Sequence, residues 1–492
     1  MTLSFNEIPY GGDWLKPGAY MEVAPSYDRM GLVAYPARAI LFVQQLASGS
    51  ATPKQIYRIT RADQGRGLFG AGSVGQQMVE AYKAVNKTTD LYAVGLQDAA
   101  GLAATGSFAL TGTATASGVL ALYIGKRRIP ITVTSGMTAA QVATAASAAI
   151  AAIADLPVTG AVAAGTVTLT ARHKGEVGNH VHLAVGRQVD DTLPAGLTVT
   201  LTAMAGGATN PNVQDLLDVI AAQWFTDIAL PWDDATTLAA LTTNLASRYS
   251  AMGKLDAHAY VSHRGTFAQI TAKGALTNSP FLSAIGAKGS PCAPWEWAAA
   301  LAGLASFHLA NDPARQLRGL VLTGIAAGAA ADQFVETEQN LLLKGGISTF
   351  IALSDGTVAL DRVVTTYNVS ALGVMDRAWL DVMVAKTASR IRYDWNSYVA
   401  LTYPRCKLAP DNSRAANADA SGAVVTPKRM RGSWAARCGI YEDRGWITGA
   451  ADTLSRSVFE IDPDDKNRLN AQQPINIIGN LMVLAGRLLF EV

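Results

Sequence analysis

Short apolar runs alternate with longer stretches of helical period over two separated parts of the chain. Runs at 40–43, 56–60, 91–96, 227–230, 258–262 and 320–323 have the length and β-branched content of strands. Between them, 75–86, 213–224, 235–252 and 331–344 repeat apolar residues at helical spacing. Strands alternating with helices predict an α/β layer. Residues 347–353 and 358–365, joined at Asp355-Gly356, read as a hairpin closing that layer. The expected core domain is a mixed sheet with flanking helices, built from 25–98 plus 207–370.

The intervening stretch, 99–206, follows another pattern. Runs at 107–115, 119–124, 129–134, 166–170 and 180–185 alternate with period two, with one helical segment at 138–154. Glycine-rich borders, Ala99-Ala100-Gly101 and Ala205-Gly206-Gly207, suit a mostly-β domain inserted into a host loop. Beyond Tyr367 the pattern changes again. An amphipathic helix over 375–394, a basic irregular stretch and a final apolar run predict an α+β C-terminal domain over 371–479. Both ends read as strand-like arms, 1–24 carrying Leu3, Phe5 and Ile8, and 480–492 carrying Leu481, Val483, Leu488, Phe490 and Val492. Chain ends are ordinarily polar, so these two read as built to pair.

Composition sharpens this picture at one point. Charged residues number 78 of 492, or 16%, where about 25% is usual for a soluble domain. A monomer of this mass exposes roughly 17,000 Å², and so few charges imply either a bland alanine-rich surface or one hidden in an assembly. The deficit is concentrated at 99–206, where 10 of 108 residues are charged. The net charge of +2 supplies no field for nucleic acid or an anionic membrane. Three scattered cysteines, Cys292, Cys406 and Cys438, fit neither a disulfide scaffold nor zinc spacing, and suit a reducing compartment. No secretory leader is expected in the first residues. The richest apolar stretch, 139–156, is too alanine-rich and too interrupted for a membrane span.

Candidate chemistry is sparse. Gly70-Ala71-Gly72-Ser73-Val74-Gly75 matches G-x-G-x-x-G, but a dinucleotide loop follows its strand directly. Here about nine residues separate Thr60 from Gly70, so the loop reads as a helix cap. Ser73 falls one residue type short of a nucleophile elbow, and no strand precedes it. His180 and His182 would share a strand face, yet no third metal ligand is evident. Lys126-Arg127-Arg128 reads as a solvated hairpin tip. From 405 to 444 eight basic residues face four acidic ones, and Lys428, Arg429 and Arg431 form the densest cluster, a solvated loop or a docking face for an acidic protein.

Several segments in order resemble the tail sheath proteins of contractile-tailed, Mu-like bacteriophages. They are Phe5-Asn6-Glu7-Ile8-Pro9, Pro17-Gly18-Ala19-Tyr20-Met21-Glu22-Val23, Leu68 to Ser73, Leu91-Tyr92-Ala93-Val94, the low-charge insertion and the closing 459–492. The resemblance implies a structural protein rather than an enzyme, without cofactor or metal, that polymerises as stacked sixfold rings around a tail tube and contracts. It implies as partners further copies of the chain, the tube protein, and baseplate and tail terminator proteins, with no direct nucleic acid and no membrane insertion. The setting implied is the virion tail, assembled in the host cytoplasm. Arms 1–24 and 480–492 would add strands to neighbouring copies, 99–206 would face outward, and Lys428, Arg429 and Arg431 would face the tube. The sheath of a phage-like secretion or toxin-delivery machine is the alternative. A nucleotide-binding enzyme using Gly70 to Gly75 and a surface adhesin built on the threonine-rich insertion are more distant rivals.

Overall fold

The run Arg38–Gln44 is apolar on both faces, and everything after Arg38 is buried, as a central strand requires. In the computed structural model, which describes residues 16–19, 21, 31–419 and 422–490, it pairs in parallel with Asp90–Leu96 on one side and Asp227–Ala229 on the other. His258–His263, Leu282–Gly286 and Ile347–Ala352 continue the parallel series. Antiparallel strands close both margins, Val358–Arg362 at one and Ile56–Ile59 at the other, giving eight strands. The chain is thus a mixed α/β protein.

The chain separates into two compact units. The larger holds Tyr35–Arg392 and the described residues from Ile477, the smaller Tyr393–Asn476 and the described residues before Tyr35. The division falls at 392 and 476, whereas the sequence reading places its boundaries at 370 and 479.

One helix of the larger unit, Pro294–Asn311, has no counterpart among the helices read from the sequence. It is buried nearly all round, so no polar face marks its period. Pro294 starts it, and Glu296 accepts the Ala293 amide at 2.9 Å. It packs on Val74–Val85 so closely that a Cβ on Gly303 would lie 2.5 Å from Val85. Tyr82 and Ser306 hydroxyls meet there at 2.7 Å. The short strand Leu282–Gly286 is likewise additional, a five-residue run with every position buried.

The insertion leaves after Asp90–Leu96 and returns beside its exit, where Leu102 bridges Ala208. It forms an antiparallel four-stranded sheet in the order Leu197–Ala205, Ala103–Gly112, Thr166–Lys174, Val158–Ala163. A three-stranded sheet has the order Arg127–Val133, Gly118–Ile124, Leu183–Val185. Its helix, Ala139–Ala151, begins with a capping box between Thr138 and Gln141.

The smaller unit is built on Pro427–Asp443, Ala450–Arg456, the end of the helix Val382–Thr402, and a hairpin of Val458–Ile461 with Leu469–Gln472. At its centre Asp394 and Arg437, 0% and 1% exposed, form an ion pair. Tyr441 donates to the same carboxylate at 2.7 Å. The pair also holds incoming chain: the Val33 amide donates to Asp394 at 2.9 Å, and Arg437 donates to the Gly31 carbonyl. Irregular backbone entering a dry interior needs such partners.

Several expected elements differ. The helix expected at 375–394 runs over Val382–Thr402, and that expected at 331–344 contracts to Glu336–Lys344. The strand at 320–323 is a single bridge, Val321 to Ala359. The basic stretch expected to be irregular contains the helix Pro427–Asp443, started by Thr426 accepting the Arg429 amide. The described part of the expected terminal strand, 480–490, forms no strand pairing among the described residues.

Candidate assembly surfaces

The glycine-rich loop is a turn between two helices, Gln64–Phe69 and Val74–Val85, with no strand before it. Its helix N-terminus is already engaged: Ser73 accepts the Gln76 amide at 3.0 Å and His173 Nε2 accepts the Val74 amide at 3.2 Å. Gly72 is needed for contact as well as for its φ of +78°, since a Cβ there would lie 2.2 Å from the Leu156 carbonyl of the insertion. No room remains for a phosphate, and Ser73 is a cap rather than a nucleophile.

Strand order reverses between Arg38–Gln44 and Asp227–Ala229, and ligands of open α/β sheets sit beyond the carboxyl ends of such strands. Here the insertion fills that crevice. Gln44, at the end of its strand, donates to Asp98 at 2.7 Å and to the Lys174 carbonyl at 2.8 Å, and accepts from Trp232. His173 Nδ1 meets Asp98 at 2.7 Å. Because Nε2 accepts from Val74, Nδ1 carries the proton, which fixes the tautomer. Burial works to raise the Asp98 pKa, but hydrogen bonds from His173, the Lys174 amide and Gln44 hold it below the usual range. Asp233 is ion-paired with Lys273 and meets His263 Nδ1 at 3.0 Å, and Arg264 donates to the His180 carbonyl at 2.6 Å.

His180 and His182 do not alternate along one strand. His180 ends the 3-10 turn Glu176–His180, and His182 precedes the strand Leu183–Val185. Burial pushes both down to about 4, so they are neutral at pH 7. Among the described residues no cluster has the composition of a metal site. Lys126, read as a solvated tip, instead donates to the buried Glu296 carboxylate at 2.6 Å and joins insertion to core.

The open surfaces lie elsewhere. Between Leu481 and Phe490 the large apolar side chains other than Met482 are exposed, from 71% at Leu481 to 93% at Leu488. Met482 alone packs against the core. Val492 and the N-terminal Leu3, Phe5 and Ile8 lie outside the described residues. The hairpin of the smaller unit pairs with no further strand among the described residues. A lone two-stranded sheet is marginal in water. The sequence reading passed over this hairpin, although Val458-Phe459-Glu460-Ile461 alternates and Asp462-Pro463-Asp464-Asp465 is a turn signal.

The helix Pro427–Asp443 brings Lys428, Arg429 and Arg431 onto its first two turns, all exposed. Their roles differ. Arg429 donates to the Gly422 and Val424 carbonyls at 3.1 and 3.0 Å, and Arg431 donates to the Leu454 carbonyl at 2.9 Å. The Lys428 side chain makes no hydrogen bond or ion pair among the described residues. Cations at a helix N-terminus oppose its dipole, by about 0.3–1 kcal/mol each. Helix stability therefore does not explain Lys428.

Among the described residues, no helix is long and apolar enough to cross a membrane. Residues 206–366 match the model of the phage tail sheath protein central domain. A Mu-like prophage tail sheath protein of Haemophilus influenzae is 32% identical over 495 aligned positions, covering all of both chains. Among solved structures, the sheath tail protein of Listeria innocua superposes with a TM-score of 0.50 at 11% identity, covering 91% of this chain and 93% of that one. A chain of the anti-feeding prophage baseplate gives a TM-score of 0.50 at 12% identity, covering 97% and 99%.

Proposed function

Because the chain belongs to the phage tail sheath family, a family of structural proteins rather than enzymes, we propose that copies of it polymerise as stacked rings around a tail tube and contract to drive that tube through a host envelope. The observation that carries this reading is the apolar segment 483–490, rooted on the subunit yet exposed along its length. Exposed apolar chain of this extent is a liability in a monomer and an asset in a polymer. Strand addition would give it main-chain hydrogen bonds and register, and the open hairpin Val458–Ile461 with Leu469–Gln472 of another copy is a suitable acceptor. A contact between two different surfaces propagates without closing on itself, which builds a helical sheath.

The remaining surfaces fit the same reading. Lys428 and Arg431 would meet an acidic tube, with Arg429 holding the start of their helix. The N-terminal arm, with Leu3, Phe5 and Ile8, would engage a further copy, and baseplate and terminator proteins would cap the two ends. Assembly would take place in the host cytoplasm, giving a component of the virion tail. The sheath of a phage-like toxin-delivery machine would use identical surfaces, and neighbouring genes separate the two. Negative-stain microscopy of the concentrated protein tests the proposal. Tubes or rings are expected, and a monodisperse monomer that no tube template can recruit would remove it.

A further inference from the structure

The segment that ends in the exposed apolar arm does not leave the subunit loosely. Residues 477–482 run along an open groove of about 440 Å³, lined in part by Ala314, Met383 and Val384. Three consecutive residues are tied there to 314–318. Asn480 uses both ends of its amide: Nδ2 donates to the Ala314 carbonyl at 2.8 Å, and Oδ1 accepts the Gln316 amide at 3.3 Å. Gln316 Nε2 donates to the Leu481 carbonyl at 3.2 Å, and Arg318 donates to the Met482 carbonyl at 3.3 Å.

The tie continues inward. Gly319 and Leu322 donate to the Leu360 and Val358 carbonyls, each at 2.8 Å, and Leu360 donates back to Leu320 at 2.9 Å. Residues 314–322 are thereby fastened along the marginal strand Val358–Arg362. Beyond Met482 no hydrogen bond returns from 483–490 among the described residues.

We infer that Asn480, Gln316 and Arg318 are positioning residues for subunit exchange: they form a fixed root that sets where, and in which register, the arm 483–490 enters a second copy. This rests on the reading that the arm engages another copy. Two of the four bonds take the segment's own backbone carbonyls, at Leu481 and Met482, so the root holds the chain path whatever side chains follow Asn480. Register is the quantity at stake, because a slip of one residue turns every apolar side chain of an added strand to the opposite face. Without its root the arm keeps its apolar residues but enters in mixed registers.

The test uses the full-length chain in three variants, N480A, N480D and R318A, beside a truncation lacking 483–492. Melting of the dispersed monomer, the critical concentration for assembly and the order of the tubes in micrographs are measured. N480A should melt within about 2 °C of the parent, raise the critical concentration about tenfold and blur the tube lattice. N480D keeps the acceptor for Gln316 but sets a second acceptor against the Ala314 carbonyl, so it should assemble no better than N480A. If N480A lowers monomer melting, R318A, which removes the bond to Met482 together with a long 3.8 Å ion pair to Asp361 from a half-exposed side chain, reports in its place. Unchanged critical concentration and lattice in N480A or its substitute, with assembly abolished by the truncation, would overturn the root and leave the arm standing. A truncation that assembles like the parent would overturn the arm itself.

Discussion

The insertion and the smaller unit differ in how complete each is. Residues 99–206 carry 10 charges in 108 positions, whereas 393–476 carry 21 in 84. On polarity alone the insertion should be the half-finished surface. The reverse holds. The insertion closes two sheets over a helix, pairs Arg128 with Asp191 and Lys126 with Glu296, and seats itself in the crevice of the core. The smaller unit has a buried ion pair at its centre but, among the described residues, only two-stranded sheets. Low charge therefore does not mark the unfinished surface. The open features are the hairpin of the smaller unit, which has no further strand beside it among the described residues, and the exposed apolar chain 483–490 of the larger unit.

Removal of 480–492 is the sharpest way to break this comparison. If those residues serve another copy, assembly should be abolished while the monomer keeps its melting transition within a few degrees. Had they belonged to the subunit core, about 1.5–3 kcal/mol would be lost for each fully buried side chain, more than a stability of about 5–15 kcal/mol could absorb. Sedimentation and calorimetry on one preparation decide it.

The insertion side is tested by G72A. The backbone conformation alone costs about 1–3 kcal/mol in a residue with a Cβ, and the Leu156 carbonyl leaves that Cβ no space. Stability should fall by at least that much, with faster exchange at 154–158 and 70–75. Unaltered exchange at 154–158 would mean that the insertion is not tightly seated.

Acid separates the two regions next. His180 and His182 titrate near 4 in the folded chain, because burial disfavours their charged forms, and near 6.5 when unfolded. Between those values the unfolded chain binds more protons, so this contribution is complete above about pH 6.5 and is lost as pH falls toward 4. After discounting partial exposure the pair accounts for on the order of 3 kcal/mol. All six histidines lie in the larger unit. Hydrogen exchange at pH 5, corrected for intrinsic rate, should rise at 176–185 and change little at 430–442.

The smallest effects concern the basic helix. K428Q should weaken binding to an acidic tube about two- to fivefold and leave melting unchanged, because that side chain has no internal partner. R429Q should cost about 1 kcal/mol of stability as well, through two lost carbonyl contacts. Equal melting of the two variants would show that Arg429 holds nothing, and salt-insensitive tube binding would exclude a charge contact.

How far the sequence could be read follows from where each signal comes from. The parallel strands and the insertion announce themselves because each has a period that its own burial creates. Pro294–Asn311 lacks that period, being apolar on every side, and Pro427–Asp443 lacks it because charges and two glycines interrupt each face. The apolar run near Phe490 is plain in the sequence, yet apolar alternation alone makes no strand without a neighbour to pair with, and among the described residues it has none. The seam at Gln44, Asp98 and His173 joins residues up to 129 positions apart, and no local pattern marks it.

Pairing of Ala39 with Asp227 spans 188 positions. At about 5–20 residues per second of synthesis, Arg38–Gln44 would wait about 10–40 s for its second neighbour, with one apolar edge bare. During that interval the insertion can fold from its own hairpins. Its bridge between Leu102 and Ala208 shortens the remaining loop by 106 positions, which eases closure by about 0.7 kcal/mol. The saving in free energy is modest; the saving in time matters more. If the chain lends strands to its copies as proposed, it would be most exposed to the wrong copy while still on the ribosome, and early closure of the insertion would shorten the search that ends that exposure.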